Sequence, residues 1–115
     1  MTECYYNHGG LQHFGYKRNP EDQNYIGSFD LRSRGNRLEI WSLKIFPNYR
    51  NKGNGTRMLM EFLSQFNSDK PLFLYVYKTN RAAIRLYEKV GFTIVGECHF
   101  EPDAYTMQYN RKEMT

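Results

Sequence analysis

A strand-like run that ends at a proline and opens into two glycines one residue apart constrains this chain most: NRLEIWSLKIFPNYRNKGNGTRMLMEF, residues 36–62. Side chains alternate in a strand, so Glu39, Trp41, Leu43 and Ile45 are expected on one face, placing a carboxylate in an apolar row. Pro47 cannot donate to a ladder and ends the strand. From Thr56 onward Met58, Leu59, Phe62, Leu63 and Phe66 recur at helical spacing, and Asn67, Ser68 and Asp69 close the segment. A strand feeding a glycine turn and then a helix builds an anion seat. The first amides of the helix lack internal partners, its dipole is positive there, and glycines let the backbone approach phosphate oxygens. Arg50, Lys52 and Arg57 add full charges, so a pyrophosphate suits the site. Two familiar phosphate motifs fail, because no lysine separates Gly55 from Thr56 and Met58 stands where a dinucleotide fingerprint needs a third glycine. A tight turn whose glycines merely permit unusual dihedrals is the plainer alternative.

The flanking elements extend this unit into an α/β domain. LQHFGYKR (11–18) reads as a weak first strand, and NYIGSFDLR (24–32) pairs with NRLEIWSLKIF (36–46) as a hairpin turning through Ser33 to Asn36. PLFLYVY (71–77) is a continuous apolar and aromatic run, expected to be covered on both faces. Thr79 or Asn80 can cap a second helix with Ala83, Leu86, Tyr87 and Val90 on one face, ended by Gly91. GFTIVGECHF and AYTMQYNRK, joined around Glu101 to Ala104, form a closing hairpin. The order β-β-β-α-β-α-β-β predicts a mixed, mostly antiparallel sheet with two main helices.

The 115 residues suit a single domain, 1–115, and 40% hydrophobic with 24% charged residues is an ordinary globular balance. A formal net charge of +4 favours an anionic cofactor, acidic protein or nucleic acid, an excess that a solvated basic surface also explains. No stretch approaches the ~18 to 20 apolar residues that span a bilayer, and MTECYYNHGG is no signal segment, so a soluble, cytoplasmic protein is expected. Cys4 and Cys98 lie in no C-x-x-C pair and read as reduced thiols. His8, His13 and His99 lack metal-ligand spacing, so no metal is implied.

LKIFPNYRNKGNGTRML resembles the acetyl-CoA-binding signature of the GNAT superfamily of N-acetyltransferases: arginine or glutamine, two residues, glycine, one residue, then glycine or alanine. Arg50, Gly53 and Gly55 occupy those positions. Downstream, TNRAAIRLYEKVGF resembles the second signature of that family, and the match extends over about residues 25 to 110. The resemblance implies acetyl-CoA as donor, its pantetheine arm pairing with the backbone of Leu43, Lys44 and Ile45. The amides of Asn51, Lys52, Gly53, Asn54, Gly55 and Thr56 would hold the pyrophosphate, and Asn80 would contact the arm from the other side. Arg57, Arg81 and Lys89 are the candidates for the 3′-phosphate.

Acetyl transfer to an amine needs a neutral amine, an oxyanion donor and a proton for the leaving thiolate. The family reacts by direct attack, so no nucleophile is required. Tyr87 matches the phenol that protonates the thiolate in many members. Glu39 matches the position of a base in some relatives, while Tyr75 stands where others carry a glutamate. At ~3.3 Å per residue, Glu39 lies ~20 Å of strand before Ile45, and its apolar neighbours could raise its pKa. A backbone N–H near Ile45 would serve the oxyanion.

Members of the family usually begin with a strand and two helices that wall the acceptor site, and the residues before Asn24 cannot hold them. Either the groove is open or another subunit completes it, and an open groove favours a protein lysine or N-terminus as acceptor. Asn54 and Asn51 depart from the signature and are expected to loosen the loop. A CoA-binding or partner-binding module without turnover, and a nucleic-acid-linked role such as acetylation of aminoacyl-tRNA, are the rival readings. Unpaired strand edges make a homodimer an expectation as well.

Overall fold

The computed structural model describes residues 1–111. Seven strands form one sheet in the order β1-β2-β3-β4-β5-β7-β6, every neighbouring pair antiparallel except β4 and β5. The strands are β1 (Thr2–His8), β2 (Leu11–Tyr16), β3 (Gly27–Arg34), β4 (Arg37–Ile45), β5 (Leu72–Tyr77), β6 (Phe92–Glu97) and β7 (Ala104–Tyr109). Helix α1 (Asn54–Gln65) joins β4 to β5, and α2 (Arg81–Val90) joins β5 to β6. The expected fold class is therefore present, with one strand more than the sequence suggested. Lys112, the last residue of the expected closing strand, lies outside the described residues.

The extra strand is β1. Gly9 and Gly10, at φ of 59° and 81°, make the two-residue turn that pairs His8 with Leu11; positive φ at both central residues suits the twist of a hairpin. A two-residue turn, with no helix, thus joins β1 to β2.

Both crossovers, β4-α1-β5 and β5-α2-β6, advance in the same direction across the sheet. Right-handed connections then put both helices on one face, and α1 and α2 touch each other. Phe29, Leu31, Ile40, Leu72, Leu74, Val76 and Met107 meet Met58, Leu59, Phe62 and Ile84 in a single core on that side. Burial of α1 follows the expected stripe, and Ile84, absent from the face expected for α2, is its one fully buried residue. Asn80 rather than Thr79 caps α2, accepting from Ala83 N–H at 3.2 Å, and Gly91 ends it at φ 117°.

The other face carries no helix among the described residues. The expectation that β5 is covered on both faces therefore fails: Leu72, Leu74 and Val76 are buried, Phe73 and Tyr75 half-buried, Tyr77 exposed. Its aromatic outer row mimics the composition of a doubly covered strand. No helix among the described residues is long and apolar enough to cross a membrane.

Candidate active site

After a 3₁₀ turn at Pro47–Tyr49 the chain reverses through Asn51 (φ 62°) and Gly53 (φ 78°). Asn tolerates this left-handed region better than most residues, and Gly enters it without penalty. Gly53 is the N-cap of α1 and supplies no side-chain cap, so the first amides of the helix keep no internal partner. They open into a concavity of about 290 Å³ lined by Ile45, Tyr49, Arg50, Asn51, Gly53, Asn54, Gly55, Thr56 and Leu86.

The expectation that Asn54 loosens the loop is reversed. Its side chain is 2% exposed, donates to Tyr49 O at 3.0 Å and accepts from Arg57 Nη1 at 3.1 Å. Arg57 also donates to Lys52 O at 3.0 Å, Lys52 reaches Asn48 O at 3.4 Å, and Arg50 Nε donates to Ile45 O at 2.7 Å. The cations fasten the loop while lending it positive potential.

Strands β4 and β5 pair only from Leu38–Leu72 to Ile40–Leu74 and then part. Beyond that point the β5-facing backbone of β4, Trp41 to Ile45, has no ladder partner among the described residues, an edge inside the sheet that retains its hydrogen-bonding capacity except at the Ile45 carbonyl, which Arg50 holds. Between Ser28–Lys44 and Asp30–Trp41 the β3–β4 register slips, so Phe29 faces both Ser42 and Leu43, with Ser42 at φ 55°. This bulge corrects the one-face expectation: Leu43 and Ile45 pack on the helix-side core, while Glu39 and Trp41 remain on the opposite face. The cleft so opened, about 210 Å³, is lined by Ile40, Trp41, Ser42, Leu43, Leu74, Tyr75 and Tyr87. The Tyr87 hydroxyl makes no hydrogen bond among the described residues, and burial raises its pKa above 10.0, keeping it protonated at neutral pH.

Glu39 is 1% exposed. Its Oε2 accepts from the Tyr75 hydroxyl at 2.5 Å and its Oε1 from Trp41 Nε1 at 2.8 Å. Arg34 Nε and Arg37 Nε approach it at 3.5 Å, and Arg37 Nη2 donates to Tyr75 Oη at 3.0 Å. Burial first, then the bond to Glu39, pushes the Tyr75 pKa up to about 12. Over this network on the helix-free face lies a pocket of about 190 Å³ formed by Trp41, Tyr75, Val76, Tyr77, Phe100, Glu101 and Ala104. Phe100, expected within a strand, belongs instead to the turn after β6 and packs against Trp41 and Tyr75 at ring distances of 5.8 and 4.8 Å.

The fold thus brings together Ile45, Arg50, Asn51, Gly53, Asn54, Gly55 and Thr56 at one end and Leu43 with Tyr87 at the other. Lys44, Lys52 and Asn80 line neither cavity, Lys44 lying over the Phe46 ring and Asn80 capping α2. Leu86, Ser42 and Phe100 join the site from positions the sequence did not single out for it, and Tyr75 joins it from a position weighed in the sequence for a base.

The sheet is thus split between two parallel strands, with an uncapped helix start at the mouth of the split. The model of the acetyltransferase (GNAT) family matches residues 3–92, and this chain belongs to that family. Among its relatives is the spermine/spermidine N(1)-acetyltransferase of Bacillus subtilis (strain 168), 29% identical over 102 residues, or 85% of this chain and 67% of that protein. The fold resembles a spermidine N-acetyltransferase from Vibrio cholerae in complex with CoA and spermine, with TM-score 0.70, 21% identity, and coverage of 86% of this chain and 64% of that one. It also resembles Arabidopsis thaliana NAA60 in complex with a bisubstrate analogue, at TM-score 0.65 and 18% identity over 90% of this chain and 77% of that one. The chain spans about two thirds of the length of the first two.

Proposed function

We propose that this chain moves the acetyl group of acetyl-CoA to a primary amine by direct attack on the thioester, without an acyl-enzyme. The observation that carries the reading is the unpaired inner edge of β4, which runs from the uncapped start of α1 to the cleft beside Tyr87. Backbone groups of Leu43, Lys44 and Ile45 pair with the extended arm, and the amides from Asn51 to Thr56 hold the pyrophosphate. Tyr87, protonated and without a partner among the described residues, supplies the proton to the departing thiolate. Glu39 is the acceptor of the amine's proton. Asn80 can meet the arm through its amide nitrogen, because its Oδ1 is engaged in capping α2.

The acceptor is a protein lysine or N-terminus. The helix-free face and the Gly9–Gly10 turn support this reading, since neither leaves a wall to enclose a small metabolite. A polyamine is the second reading, favoured by the Glu101 carboxylate beside the aromatic pocket, where a cationic chain finds both counter-charge and ring faces.

Thiol release from acetyl-CoA, measured with lysine peptides, free peptide N-termini and spermine, tests the proposal. Tyr87→Phe should lower kcat about 10²-fold with little change in acetyl-CoA affinity, the usual worth of one proton-transfer group. A wild-type protein that does not bind acetyl-CoA removes the enzymatic reading. Binding without turnover on any amine in a lysate leaves a CoA-binding module, and Tyr87→Phe at full kcat removes the acid role.

A further inference from the structure

Glu39 is the obvious proton acceptor by charge, yet it lines neither cavity beside it, and both of its oxygens are occupied. Tyr75 lines both. It borders the cleft that holds Leu43 and Tyr87, and its ring packs against Phe100 in the pocket that also holds Glu101. Its hydroxyl donates to Glu39 and accepts from Arg37. A phenol oxygen has two lone pairs, so one remains for a proton arriving from the acceptor.

We propose that Tyr75 is a catalytic residue that receives the proton of the acceptor amine while passing its own to Glu39, which acts only through it. This rests on the acetyl-transfer reading above. In the step, an N–H bond of the attacking ammonium breaks as an O–H bond forms at Tyr75 Oη. The original Tyr75 O–H breaks as one forms at Glu39 Oε2. The amine recovers its lone pair, Tyr75 remains a phenol, and Glu39 becomes a neutral acid. Return of the proton along the same path to water in the outer pocket resets the pair, and no atom changes oxidation state.

A relay needs no free phenolate, which fits a tyrosine whose burial and bond to Glu39 both disfavour ionisation. Arg34 Nε and Arg37 Nε both lie 3.5 Å from the Glu39 carboxylate. Trp41 Nε1 fixes its other oxygen, so Oε2 stays aimed at the phenol.

The test compares two acceptors of similar shape on wild type and variants: a primary alkylamine, protonated at neutral pH, and an O-alkylhydroxylamine, which is not. Tyr75→Phe should lower kcat/KM about 10²-fold with the alkylamine and less than about threefold with the hydroxylamine, because only the first must lose a proton before it attacks. Glu39→Gln should show the same split, and the double variant should be no worse than either single one, as expected of groups acting as a unit. The phenylalanine keeps the ring between Trp41 and Phe100, so acetyl-CoA affinity should be unchanged. If Tyr75→Phe does not fold, fluorotyrosine at position 75 keeps the packing and should alter the alkylamine rate alone. An equal loss with both acceptors, or none with the alkylamine, overturns the relay. A wild type inactive on both removes the acetyl-transfer reading itself.

Discussion

Gly27→Ala is the substitution whose cost follows most directly from the packing. Gly27 lies on β3 opposite Ile45, and an added Cβ would sit 2.7 Å from Ile45 Cδ1, 2.9 Å from Lys44 O and 3.2 Å from Met58 Sδ. Ile45 could rotate away, but the Lys44 carbonyl belongs to the paired strand and can retreat only if β3 and β4 separate by several tenths of an ångström. Overpacking of this kind costs about 2–3 kcal/mol. The smaller entropy of an unfolded chain with Ala in place of Gly returns about 0.5–1 kcal/mol. A net loss of about 1–2.5 kcal/mol should lower Tm by about 4–10 °C in a domain of this size. Ile45 also lines the proposed phosphate seat, so acetyl-CoA affinity should fall with the stability. Thermal unfolding by circular dichroism reads the first effect and calorimetric titration the second. An unchanged or higher Tm would refute the argument that the β3–β4 backbone is immovable there.

Asn54→Ala should leave the helix start untethered, removing the bonds to Tyr49 O and Arg57; an orphaned buried carbonyl costs about 1–3 kcal/mol, and acetyl-CoA binding measured by titration should weaken about tenfold. At alkaline pH stability should decline. Tyr75 holds its proton to about 12 when folded against 10.0 when unfolded, so above pH 10 the unfolded chain ionises first and the stabilising contribution, complete below 10, is lost through that window. Tyr75→Phe should flatten this decline in pH-dependent melts, and a decline of the same steepness would show that other groups cause it.

The strand, glycine turn and first helix were legible because each leaves a local mark: alternation, then a proline, then a 3.6-residue period. Strand β1 was missed although Gly9-Gly10 is a hairpin signal, since TECYYNH lacks an apolar face and its residues are mostly exposed. The bulge at Ser42 had no marker, for a serine at φ 55° is held there by the register of two strands rather than by its own preference. Because of it, a face expected from simple alternation divided between the two sides of the sheet. Glu39 is singled out by the family resemblance, but its partners are not: Tyr75 lies 36 residues away and approaches only because β4 and β5 are parallel neighbours. Nothing in the local sequence of either strand announces where their pairing stops.

The interrupted ladder between β4 and β5 also acts as a filter on what can donate the acyl group. An inner edge of free carbonyls and N–H groups rewards a guest that is itself extended and carries amides at peptide-like intervals. A compact acyl phosphate has nothing to offer such an edge, however reactive its acetyl group. The missing hydrogen bonds of the sheet are in this sense a template, and preference for an amide-bearing tether is written into the backbone before any side chain is chosen.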